Sequence, residues 1–262
     1  MQKERGDIVA TVIVFTNQKG GVGKTTTSAA FVSGLLHKGN KVLALDLDPQ
    51  GNLGFSLGMD IEADYTMYDV WTENATLEQA IQTDGDLGVI PSNILLSGTD
   101  IGSDGEHREL FLKQALEPIQ EDYDYIVIDT PPALNILTLN AYAAADHLMI
   151  PMASEILSLV GLVQLSETIE AIQETVNPDL NVLGILLTRY NKRTRLAKDV
   201  DDMAQTVADQ IGTTVFETKI RTGVAVAEAP AHGMSILDYA PKSNAGQDYE
   251  AFVEEALQRM KA

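Results

Sequence analysis

The feature that most constrains this chain is a strand-like apolar run, Ile8–Thr16, that leads into a glycine- and lysine-rich loop. That loop, Lys19-Gly-Gly-Val-Gly-Lys-Thr-Thr26, opens a helix-like stretch over Thr25–His37, with Gly39-Asn40 as its stop. Strand, glycine loop and helix in that order form the context a phosphate-binding loop requires. Gly20, Gly21 and Gly23 let the backbone turn tightly and approach phosphate oxygens with no Cβ in the way. The N–H groups from Lys19 through Val22 to Thr26, with the helix N-terminus behind them, make an anion cradle. Lys24 would reach the β- and γ-phosphates of a nucleotide. The Thr25 hydroxyl would coordinate Mg2+, a hard ion that takes oxygen ligands. The fuller Gly-x-x-x-x-Gly-Lys-[Ser/Thr] pattern has Gln18 where its first glycine would stand, so the loop departs from the standard form while keeping its Gly-Lys-Thr end.

The rest of the chain repeats the alternation of strand and helix. Lys41–Asp46, Leu87–Pro91, Tyr125–Asp129, His147–Pro151 and Val182–Thr188 read as short buried strands. Helix-like segments lie near 107–120, 134–145, 157–176, 195–211 and 245–261. This pattern predicts one α/β domain over residues 1–262, a P-loop NTPase fold: a mostly parallel, twisted sheet with helices on both faces and right-handed crossovers. Residues 1–7 are expected to be flexible. The stretch 51–86 carries Asp60, Glu62, Asp64 and the only Trp, Trp71, with few strand signals, and reads as an irregular excursion on the same domain.

Composition excludes several chemistries. The chain has no Cys, which removes disulfides, thiol catalysis, cysteine zinc sites and iron–sulfur ligation, and suits a reducing cytoplasm. The apolar run after the charged N-terminus is far shorter than the ~20 residues needed to cross a bilayer. With 18 Lys+Arg against 38 Asp+Glu the net charge is −20, which argues against a general nucleic-acid coat but leaves room for a local basic patch.

Two further segments place carboxylates at strand ends, where ligands of open α/β sheets gather. Leu45-Asp-Leu-Asp-Pro-Gln-Gly-Asn52 offers Asp46 and Asp48, followed by Pro49 and Asn52. Tyr123-Asp-Tyr-Ile-Val-Ile-Asp-Thr-Pro-Pro132 offers Asp129 after an apolar strand, then Thr130 and Pro131. Asp129 would hold Mg2+, often through water.

Together these segments resemble the deviant Walker A ATPases of the ParA/MinD family, and within it the small ParA-type (Soj-like) partition ATPases. The resemblance spans about residues 8–260. It implies that Lys19 is the family's second lysine, which crosses a dimer interface to the partner's ATP and neutralises transition-state charge. It makes Asp48 the residue that orients the attacking water and, with Thr25 and Asp129, a residue of the Mg2+ site. Asp46, Pro49 and Asn52 become switch I, and Thr130 and Pro131 switch II. Gly184–Asn191 and Ala227–Gly233 resemble the segments around the adenine pocket.

The family divides by the surface it uses. The tail, Gln247–Ala262, has one apolar face but more acids than bases, so an anionic lipid surface would repel it and no membrane partner is expected. Arg189–Lys198 instead places five basic residues in ten with no acid. Lys192, Arg193, Arg195 and Lys198, with Arg221 from a smaller island, are the expected contacts to non-specific DNA. Ala225 stands where the family commonly has an arginine important for DNA, and Arg221 is the expected substitute. Only 18 residues precede Lys19, so no helix-turn-helix repressor extension is expected.

The resemblance implies a slow, Mg2+-dependent ATPase that binds nucleoid DNA as an ATP-bound homodimer in the cytoplasm. Release would follow hydrolysis stimulated by a ParB-type centromere-binding protein, driving plasmid or chromosome partition. The alternative is a positioning ATPase of the same fold that moves a protein cargo or uses another surface. An electron donor of the nitrogenase iron-protein type is excluded by the missing cysteines. A metabolic ligase or kinase would need a small-molecule pocket for which no motif is present.

Overall fold

The computed structural model describes residues 9–59, 63–98 and 108–261. The expectations for residues 1–7, for Ile8 and for Asp60 and Glu62 lie outside the described residues. Seven strands form one sheet: β1 (Thr11–Phe15), β2 (Val42–Asp46), β3 (Gln82–Asp84), β4 (Leu87–Ile90), β5 (Tyr125–Asp129), β6 (His147–Ala153) and β7 (Asn181–Thr188). Their order is β3-β4-β2-β5-β1-β6-β7, and every pairing is parallel except β3 with β4. The longer helices are α1 (Lys24–His37), α2 (Ile136–Ala144), α3 (Ile156–Thr175), α4 (Arg195–Gln210) and α5 (Asn244–Arg259).

Strand side chains alternate between two cores, which is why the strands read as continuous apolar runs. Val12 and Val14 of β1 join a cluster with Leu137 of α2, Leu162 of α3 and Val200 of α4. Ile13 and Phe15 of the same strand face Phe31 of α1 and Phe252 of α5. A chain of rings, Phe15–Phe31 edge-to-face at 5.5 Å and Phe31–Phe252 tilted at 6.0 Å, ties β1 to both helices. By length and composition α3 would be apolar enough to cross a membrane, but Leu159, Leu162, Leu165, Ile169 and Ile172 are buried against the protein.

The register sets the site. Phe15 and Asp46 both lie level with Asp129, so the loops leaving β1, β2 and β5 emerge side by side. β1 lies between β5 and β6, where the winding of the sheet reverses, the usual position of a ligand crevice.

Three expectations need correction. The excursion 51–86 is more regular than expected. It contains short helices Asn52–Ser56, Met67–Trp71 and Leu77–Ala80, two of them started by capping boxes at Thr66 and Thr76, and then the antiparallel edge strand β3. Trp71 is buried, its ring 5.1 Å from that of Phe111. The helix expected over 107–120 is broken. Phe111–Leu116 is helical, Glu117–Asp122 tightens to a 3-10 turn, and residue 107 lies outside the described residues. Pro118 has no N–H with which to continue an α-helix. β1 starts at Thr11, three residues after the expected Ile8.

Candidate active site

The glycine loop turns directly into α1. Gly23 caps the helix in a left-handed conformation, φ 91°, and no side chain caps the first N–H groups. Those donors are left for an anion. Gly21 is left-handed too, at φ 72°. The loop is pinned from three sides. Thr188 Oγ1, at the end of β7, donates to the Val22 carbonyl at 2.7 Å. Asn17 Nδ2 donates to the Pro151 carbonyl at 2.8 Å, and the Lys19 N–H donates to Asn17 Oδ1 at 2.9 Å.

Lys24 is buried, and burial lowers its pKa against the opposing pull of Asp129 and Asp48. Its Nζ lies 3.4 Å from the Lys19 carbonyl. Asp129 is fully buried and accepts from Thr25 Oγ1 at 2.6 Å and Ser28 Oγ at 3.0 Å. Burial pushes its carboxyl up to about 6 despite those bonds and Lys24. Such a group is poised to gain from a cation. Among the described residues no three His, Cys, Asp or Glu side chains converge. A metal here would therefore rest on the Thr25 hydroxyl, Asp129 and oxygens from phosphate and water, a donor set that fits Mg2+.

The two expected switch segments meet. Asp46 is buried at the end of β2 and accepts from the N–H groups of Asp48 at 3.0 Å and Leu53 at 2.8 Å. Burial and the neighbouring Asp129 hold its carboxyl well above the usual range. Asp46 thus fixes the backbone around Asp48 and the short helix beginning at Asn52, whose own side is exposed. Asp48 is only half-buried. Thr130 Oγ1 donates to the Phe15 carbonyl at 2.9 Å, and the Leu47 N–H donates to the Asp129 carbonyl at 2.9 Å. Asp48, Pro49, Pro131 and Pro132 line one cleft of about 500 Å3.

Lys19 leaves the loop in the opposite direction. Its Nζ lies 2.9 Å from Glu155 Oε2 and 3.2 Å from Ser158 Oγ, at the start of α3. A second cleft, of about 450 Å3, opens beside the loop between Val22, Gly23 and Thr26, the end of β7 at Thr188 and Arg189, and the segment Ile220–Gly223. Val226, Ala227 and Tyr249 complete it, so of the two segments expected around a base, Thr188 and Arg189 of the first and Ala227 of the second line this space, which is also walled by 220–223.

The basic residues divide. Lys192, Arg193, Arg195 and Lys198 are exposed around the start of α4, Arg195 being 94% exposed, with Asp199 3.9 Å away. Arg221 is not free. It forms a bidentate pair with Asp248, and Lys219 pairs with Asp201 at 3.2 Å. Sequence reasoning missed Glu155, Ser158, Ser28 and Asp248, and named Thr188 only as part of Gly184–Asn191. Ser28 had a signal, since it falls one helical turn after Lys24 on the same face. The others are brought in by the fold from distant positions.

A family model described as an AAA domain matches residues 10–182. The chromosome-partitioning ATPase Soj of Treponema pallidum is 39% identical over 250 residues, covering 94% of this chain and 97% of that protein. The chain belongs to the Soj/ParA family of chromosome-partitioning ATPases. The sporulation initiation inhibitor protein Soj of Bacillus subtilis is 40% identical over 243 residues, covering 91% of this chain and 94% of its own. Among solved structures, cobyrinic acid a,c-diamide synthase from Mycobacterium smegmatis with bound ADP and magnesium is 34% identical, with a TM-score of 0.82. The match covers 97% of this chain and 96% of that one.

Proposed function

We propose that this chain is an ATP-dependent dimerisation switch that binds DNA without sequence preference and is released by hydrolysis. The observation that carries the proposal is the division of labour between Lys24 and Lys19. Lys24 is buried against Asp129, where it would neutralise phosphate charge within one subunit. Lys19 is at the rim, 30% exposed, from where it would reach a second subunit. Mg2+, held by Thr25 and Asp129, would supply charge neutralisation at the β- and γ-phosphate oxygens. Asp48 would orient the attacking water, held in place by the Asp46 contact to its backbone. Lys192, Arg193, Arg195 and Lys198 would contact DNA phosphates, and two subunits side by side would double that surface. By family, the partner that stimulates hydrolysis is a ParB-type protein, and the setting is the cytoplasm and nucleoid.

The test is binding to random-sequence duplex DNA with ATP, with ADP and without nucleotide across a salt series. Binding only with ATP, falling steeply with salt, is the expected result. ATP-dependent dimers with no DNA binding at low salt would overturn the DNA assignment. A second reading, an ATPase of the same fold that positions a protein cargo, is favoured by Ala225 and by the pairing of Lys219 and Arg221 with acids. That result would leave it in the lead.

A further inference from the structure

We infer that Arg221 and Asp248 form a clamp that sets the outer wall of the base cleft, making Arg221 a positioning residue for the nucleotide and not a DNA contact. The inference rests on the reading that this cleft takes the base of ATP. Asp248 lies in the first half of α5, with its side chain 14% exposed. Its Oδ2 accepts from both the backbone N–H of Arg221, at 2.9 Å, and Nε, at 2.8 Å. Its Oδ1 accepts from Nη2 at 2.7 Å, and Nη2 also donates to the Asn244 carbonyl at 3.1 Å. Side-on pairing of this kind fixes orientation as well as distance, which a lone surface ion pair does not.

The clamp closes a circuit around the cleft. On one side of Arg221, the Ile220 N–H donates to Leu187 at 2.9 Å and the Tyr190 N–H donates to Ile220 at 2.8 Å, stitching the segment to β7. On the other side, Thr222 and Gly223 line the cleft. Tyr249, the residue after Asp248, also lines it, and its hydroxyl lies 3.3 Å from Thr27 Oγ1 in α1. The Asp248 carboxylate thus joins the segment 220–223 to the start of α5, and the next residue, Tyr249, joins α5 to the helix that follows the glycine loop. Without Asp248, the segment 220–223 would keep its ties to β7 but hold to α5 only through the bond from Nη2 to the Asn244 carbonyl. A phosphate of DNA, by contrast, would meet a guanidinium whose charge Asp248 already balances.

The two roles predict different effects of Asp248→Ala: weaker nucleotide binding for the clamp, stronger DNA binding for a DNA contact. Binding of a fluorescent ATP analogue, measured without DNA, is expected to weaken about five- to tenfold in both Arg221→Ala and Asp248→Ala, and about two- to threefold in the isosteric Asp248→Asn. The KM for ATP should rise with kcat unchanged at saturation, a split that a general loss of folding does not give. DNA affinity at saturating ATP, and its salt slope, should stay as in the wild type. If Arg221→Ala weakens DNA binding while Asp248→Ala strengthens it, and nucleotide affinity is unaltered, Arg221 is a DNA contact and the clamp is overturned. A wild type that binds the analogue alongside an unaltered Asp248→Ala and Asp248→Asn overturns the clamp alone. A wild type that binds no nucleotide overturns the ATP reading and the clamp with it.

Discussion

Replacing Asp129 with Asn should make the nucleotide-free protein more stable and the nucleotide-bound protein less so. In the wild type, burial raises the Asp129 carboxyl from 3.8 to about 6. At about 1.4 kcal/mol per pH unit, that rise amounts to about 3 kcal/mol. Because the folded value is raised, the protonated acid sits comfortably below pH 3.8, and the advantage is lost as pH climbs through 6. At pH 8 the folded protein therefore carries an unwelcome charge that Asn does not. An amide can still accept from one of the Thr25 and Ser28 hydroxyls and donate to the other once that hydroxyl rotates. The expected gain is about 3 kcal/mol at pH 8 and roughly half of that at pH 5. For a domain of this size it corresponds to a Tm increase of roughly 6–10 °C at pH 8. Thermal melts at both pH values, with and without Mg-ATP, make the measurement. Mg-ATP should raise the wild-type Tm and do much less for the variant. A variant that melts below the wild type at pH 8 without nucleotide, or gains equally at pH 5 and pH 8, would refute the argument.

Lys19→Ala should bind ATP with little change yet fail to pair; normal ATP-dependent dimers by size-exclusion chromatography with light scattering would remove Lys19 from that role. Asp48→Ala should bind ATP and DNA but hydrolyse about a hundredfold more slowly, as expected when a water-orienting group is lost; unchanged phosphate release would move that task elsewhere. Replacing Arg193 and Arg195 together with Ala should weaken DNA binding and lower the salt slope by about 2 while leaving ATP affinity intact. An unchanged slope would place the DNA surface away from α4.

Much of the fold was legible because its signals are local. Apolar runs of strand length ending in Asp46 and Asp129, and glycines that only a tight turn needs, declare themselves within a few residues. β3 was not legible, since Gln82-Thr-Asp84 is polar, three residues long and paired in the sheet with β4 alone. The short helices of the excursion depend on capping boxes at Thr66 and Thr76, a signal present in the sequence but weaker than an apolar period. Pairings across the chain were invisible. Arg221 reads as a free cation until the fold brings Asp248 against it, and Lys19 until Glu155, 136 residues away, does the same. Charge islands in a sequence count residues, whereas a surface counts only those with no partner.

The tie between Leu47 and the Asp129 carbonyl has a mechanical corollary. Because β2 and β5 are neighbours in register, the segments that follow them leave the sheet from a shared hinge line, and the Thr130 hydroxyl bolts that line to β1. A displacement at Asp48 is therefore transmitted to Thr130 through one peptide unit, not through a lever of side chains. The two loops are thus one mechanical unit, and a shift imposed on either is felt by both.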